Sequence, residues 1–96
     1  MIVKASPVDV GVWEWKDVTV DSEVEWVELE RIHSACVHVR GDGAVEMRGS
    51  LYRDDSAGMT LCKVILGLDS LPFIPWRVKP RVLDGTCTVR LYAIRG

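Results

Sequence analysis

Two histidines, three cysteines and a single phenylalanine are all that this 96-residue chain has of three residue types common at functional sites. Each shortage excludes something. His33 and His38 stand in no HExxH pattern, and there is no nucleophile elbow, Walker loop or GxGxxG, so no catalytic frame is expected. Cys36, Cys62 and Cys87 are odd in number and widely spaced, which fits neither a disulfide framework nor a CxxC metal site. Each lies in a strand-like run and reads as a reduced, mostly buried thiol, in keeping with synthesis in a reducing cytoplasm. No apolar run approaches the roughly 20 residues that a bilayer-crossing helix needs. The opening MIVKASPVDV lacks a basic segment followed by a long apolar one, so neither export nor membrane anchoring is expected. The carboxylates Asp54, Asp55 and Asp69 lack EF-hand spacing, and no metal or other cofactor is expected.

What is present fits one small folded domain over residues 1–96. Hydrophobic residues make up 48% and charged residues 27%, ordinary values for a globular protein. The net charge of −2 hides a strong asymmetry. Residues 1–34 hold eight carboxylates against three cations, whereas residues 76–96 hold five cations against Asp84 alone. Opposite ends of this kind attract within one molecule or between neighbouring copies.

Period-2 alternation and β-branched residues dominate, with Gly, Pro and Asp between the runs. The class expected is all-β, a small antiparallel β-sandwich or jelly-roll. Residues 23–34 fit a twisted strand nearly as well as a helical stripe, which leaves both open. Two hairpins are expected. In the first, ACVHVR and AVEMRGSLY flank Gly41, Asp42 and Gly43, so that Val39 meets Val45, Val37 meets Met47, His38 meets Glu46 and Cys36 meets Arg48. In the second, WRVKPRVL and TCTVRLYAI flank Asp84-Gly85, a strong two-residue turn signal. One face then pairs Val82 with Cys87, Pro80 with Val89, Val78 with Leu91 and Trp76 with Ala93. The other pairs Arg81 with Thr88, Lys79 with Arg90 and Arg77 with Tyr92. Pro80 cannot donate to a ladder, which places the first strand at an edge or a bulge. RDDSAG at 53–58 reads as a loop, and GLDSLPFIP as a connection crossing between sheets. Residues 1–20 read as an arm or edge strand with a bulge at Gly11, after which Trp13 and Trp15 share one side.

The constellation with functional content is the basic face of the second hairpin, Arg77, Lys79, Arg81 and Arg90 with Tyr92. Cations interleaved with an aromatic hold single-stranded nucleic acid or meet an acidic protein surface; the acidic balance of the chain favours protein. Trp13 and Trp15 are the expected apolar anchors for a partner, and exposed indoles also leave open a carbohydrate platform. A thiol–imidazole pair at Cys36 and His38 beside Glu46, and the Arg40-Gly41-Asp42 tripeptide at a turn, are weighed below these. Neighbouring polar side chains on a solvent face and ordinary turn chemistry explain them.

Along CVHVRGDGAVEMRGSLY and WRVKPRVLDGTCTVRLYAIRG, over residues 35–96, the chain resembles small β-sandwich virion proteins of tailed bacteriophages, the capsid cement or decoration type. In these a valine-rich strand, a Gly turn and a strand ending in Gly-Ser precede a variable loop and a closing Asp-Gly or Gly-Gly hairpin. The resemblance implies a multicopy, non-enzymatic protein of the virion, made in the host cytoplasm, that binds capsid or other virion subunits and copies of itself as a homo-oligomer.

Overall fold

In the computed structural model, which describes residues 2–51, 58–64 and 67–95, alternation resolves into eleven strands and no helix. They are β1 (Ile2–Val3), β2 (Ser6–Asp9), β3 (Val12–Thr19), β4 (Glu23–Val24), β5 (Val27–Glu28), β6 (Ile32–Gly41), β7 (Val45–Ser50), β8 (Met59–Val64), β9 (Gly67–Ser70), β10 (Arg77–Val82) and β11 (Thr86–Arg95). The segment 23–34 is therefore extended, as the short strands β4 and β5 and the start of β6. The expected loop at 53–58, apart from Gly58, lies outside the described residues.

Two antiparallel sheets face each other. One has the order β5-β10-β7-β8 and the other β2-β3-β11-β6-β9, with a short parallel pair, β1-β4, beside them. From one inner face Val45, Met47, Val64, Val78 and Val82, and from the other Trp15, Val18, Val37, Val39, Cys87, Val89 and Leu91, form a single buried core. A fully buried Val or Leu contributes about 1.5–3 kcal/mol by leaving water, so these rows are the main source of stability.

The apolar rows are those expected, but both hairpins are not. β6 pairs with β11 and β9, and β7 pairs with β10 and β8, so each supposed hairpin splits between the two sheets. Val39 lies beside Val89, and Val82 beside Val45. The Gly41–Gly43 and Asp84–Gly85 segments are corners from one sheet to the other. They sit against each other: Asp42 Oδ1 accepts from Thr86 N at 3.2 Å, and Asp84 Oδ1 accepts from Ala44 N at 3.0 Å. The fit requires glycine at 43, where a Cβ would lie 1.9 Å from the carbonyl oxygen of Asp84.

The first residues supply an edge strand, as expected, but Gly11 makes a turn and not a bulge. β2 and β3 form a hairpin on the edge of the five-stranded sheet, turning at Val10 and Gly11, whose φ is +71°. The slip of phase falls later. Opposite Thr88, β3 places both Lys16 and Asp17, with Asp17 at φ +52° and its amide donating to the Thr88 hydroxyl. This bulge turns Trp15 and Val18 inward although they are three residues apart. β9 begins the 67–75 connection on the five-stranded sheet, and Trp76 N bonds Ser50 O on the other, so this segment does cross.

Candidate functional site

Splitting the hairpins divides the expected basic surface. Arg77, Lys79 and Arg81 alternate with buried Val78, Pro80 and Val82, and so face outward from the four-stranded sheet. Arg90 and Tyr92 face outward from the five-stranded sheet, on the far side of the sandwich. There Arg90 Nε donates to Glu14 Oε2, and that bond holds the Glu14 carboxyl below the usual carboxylate range. The pairings Lys79–Arg90 and Arg77–Tyr92 do not exist, and Arg90 belongs to an ion pair within its own sheet.

Other cations and rings join the three that remain. On β7, Arg48 stands directly opposite Lys79, with Glu46 opposite Arg81 and Ser50 opposite Arg77. Arg48 Nη1 bonds Glu46 at 2.9 Å and the Thr60 hydroxyl at 2.8 Å, and Arg48 Nη2 bonds Gly58 O at 3.0 Å. Glu46 also accepts from the Thr60 hydroxyl, and chiefly for that reason its carboxyl is held below the usual range. The Arg77 guanidinium lies 4.3 Å from the ring centre of Trp26 and 5.5 Å from that of Trp76, and the Lys79 ammonium lies 4.6 Å from the Trp26 ring. Trp76, expected in the core, is half-buried at this face instead.

The face is electrostatically crowded. Burial, with Arg77 and Arg48 alongside, holds the Lys79 ammonium below the ordinary lysine range, against an opposing pull from Glu23. Like charges directly across a strand pair are unfavourable. Beside this face a groove of about 770 Å³ is lined by Lys79, Arg81 and Arg48 on one side and by Val20, Val24 and Trp26 on the other.

The expected anchors separate as well. Trp15 is fully buried, and its Nε1 donates to Glu25 O at 2.9 Å, which satisfies the indole inside the core. It cannot touch a partner, because the bulge at Asp17 keeps it in phase with the core. Trp13 packs partly against the core and lines a second cleft with Glu28, Glu30, Arg31 and Ile32.

The thiol–imidazole–carboxylate arrangement does not assemble. His38 lies beside Arg90 and Leu68, Cys36 beside Tyr92 and Ser70, and Glu46 is in the other sheet. Burial pushes the Cys62 and Cys87 thiols up, away from the nucleophilic thiolate. Among the described residues, no three His, Cys, Asp or Glu side chains are grouped to hold a metal, and no helix is long and apolar enough to cross a membrane.

Trp26 and Arg48 are the site residues that sequence reasoning missed. Each has a signal once β10 is known to lie between β5 and β7. Arg48 shares the outward phase of Glu46, and Trp26 is two residues from Glu28, which opposes Arg77. Compared with protein-family models, curated proteins and solved structures, the chain matches none of them.

Proposed function

We propose that this is a non-enzymatic assembly protein that docks onto acidic protein surfaces through the outer face of its four-stranded sheet. The carrying observation is the row Arg77, Lys79 and Arg81, with Arg48 set directly opposite Lys79 and two indoles alongside. Such a row costs stability in the isolated molecule and is relieved by an anionic partner, the pattern of a surface kept for contact. Arg and Trp are also the side chains that most often dominate protein interfaces.

The role that fits this module is the one the resemblance implies, a decoration or cement component of a tailed-phage virion. There the contacts are repeated over a lattice of capsid subunits and copies of the chain. In that setting each contact need be only moderate, because many are made at once.

The test is charge reversal at Lys79 and Arg81, followed by size-exclusion chromatography with light scattering at low and high salt. Wild type should associate at low salt and dissociate as salt screens the face, and the variant should stay monomeric with a melting temperature no lower than that of wild type. Equal association of the two proteins would remove the face from the proposal.

A second reading, single-stranded nucleic acid binding, draws on the same cations and indoles. Against it, Arg77 and Lys79 already lie over the Trp26 ring that a base would stack upon. Oligonucleotide affinity falling steeply with salt would favour it.

A further inference from the structure

We propose that the groove beside β10 takes an extended acidic peptide segment of a partner protein, with carboxylates at alternate residues meeting Lys79 and Arg81. The proposal rests on the docking function above and names the form of partner that the site accepts.

The groove exists because a strand neighbour leaves early. β5 accompanies β10 only at Arg77 and Val78; upstream of β5 the chain turns away, and β4 pairs with β1. Where β5 does lie against β10 it supplies a pattern: Glu28 opposes Arg77, and Val27 opposes Val78. A carboxylate meets a cation and an apolar residue meets an apolar residue. Continued along β10, that pattern calls for carboxylates opposite Lys79 and Arg81 and small apolar side chains between them. Neither cation has an ion-pair partner among the described residues. Val20, Val24, Pro80 and Val82 supply the apolar part of the lining.

The backbone limits how the segment binds. Leu83 N bonds Ala44 O, so by two-residue alternation Arg81 and Lys79 also turn their backbone groups towards β7. Pro80 and Val82 then face the groove, and Pro80 has no hydrogen to give. The edge is thereby blocked to indiscriminate strand addition. Recognition falls to side chains.

Charge and stacking favour peptide over nucleic acid. A phosphate chain carries charge at every residue and would pass Glu23 and Glu25 on the far side of the groove. A strand with carboxylates at alternate residues presents them all on the outer face, where Lys79 and Arg81 stand.

The probe is a fluorescein-labelled synthetic peptide, SVEVEVEVES, whose carboxylates all fall at alternate residues and share one face of an extended strand. Its controls are the analogue with every Glu changed to the amide, and an unlabelled (dT)10 competitor. Binding to the full chain is followed by fluorescence anisotropy. The acidic peptide should bind saturably. The amide analogue should bind at least tenfold more weakly, as should the acidic peptide to Lys79→Gln/Arg81→Gln, whose melting temperature should be no lower than that of wild type. Arg81→Gln alone, at an exposed position, serves if the double variant fails to fold, and should also weaken binding. Absence of saturable binding, equal binding of the amide analogue, full binding by the variants, or displacement by (dT)10 at lower concentration than by unlabelled peptide would each overturn the proposal. Loss of peptide binding with salt-sensitive self-association intact would remove the groove and leave the docking function standing, whereas loss of both would remove the two together.

Discussion

Asp42 and Asp84 brace each other's corners: each carboxylate accepts the backbone amide two residues beyond the other aspartate, at Thr86 and Ala44. The two Asp-Gly dipeptides thus stand in a near two-fold relation at one end of the sandwich, although they are far apart in sequence. Asp42→Ala and Asp84→Ala should each destabilise the fold by about 1 kcal/mol in urea titrations. The double variant should lose less than the sum, because the second change acts on a corner that is already loosened. Strict additivity would mean that the braces act independently. Gly43→Ala, with its Cβ driven into Asp84, should cost more than either, ~2 kcal/mol or above.

Trp15 should prove a stability residue and not a contact residue. Trp15→Ala empties a fully buried site and should cost ~3–5 kcal/mol, much of the ~5–15 kcal/mol that holds a typical domain. Thermal unfolding should show a large drop for Trp15→Ala and a smaller one for half-buried Trp13→Ala. A Trp15→Ala protein that melts like wild type yet fails to associate would reverse this assignment.

Acid should weaken the fold through Glu14 and Glu46. Hydrogen bonds from Arg90 to the first, and from Thr60 and then Arg48 to the second, depress both carboxyls in the folded state. A group whose folded value lies below its unfolded value stabilises fully above the unfolded value, and that stability is lost as pH falls through the folded one. The loss should therefore begin near pH ~4.3, the ordinary glutamate value, and continue below it. In Glu14→Gln/Glu46→Gln, the melting temperature should start lower at neutral pH and fall less steeply on acidification. Parallel curves for variant and wild type would exclude these two carboxyls as the cause.

Lys79 should show the cost of partly burying an ammonium, with like charges beside it. Its folded value is depressed, so the charged ammonium opposes folding at every pH below that value, and the penalty is relieved only as alkali removes the proton. Lys79→Met keeps the apolar stem and removes the charge. It should melt at or above the wild-type temperature, and its melting temperature should rise less with added salt than that of the wild type, whose like charges the salt screens. A clear loss of stability would show that the contact with Trp26 outweighs the repulsion.

Which side chains of β6, β7, β10 and β11 face the core was legible in the sequence, though the places of Trp15 and Trp76 were not; which strands lie side by side was not legible. Val78, Val82, Val89 and Leu91 are buried, as alternation requires. A flat hairpin and a corner between two facing sheets, however, place the same alternate residues in the same interior, and both use Asp-Gly to reverse the chain. The pattern around Asp84 is identical for the two. Only the neighbours, β7 for β10 and β6 for β11, distinguish them, and the paired residues lie 27–37 positions apart in the first case and 46–63 in the second. For the same reason a hairpin reading sets Arg90 beside Lys79, whereas the true neighbour is Arg48. Trp15 was misread through a different cause, a bulge at Asp17, where a non-glycine residue adopts a positive φ that no local motif announces.

Because each chain reversal at Gly43 and Gly85 sends its strands to partners in different layers, most of the ladder is made between stretches remote in sequence. The tight β2–β3 turn can close early, but it forms only a rim of the five-stranded sheet. The loop entropy of so many distant pairings should set a slow refolding rate, in the millisecond-to-second range of non-local all-β domains.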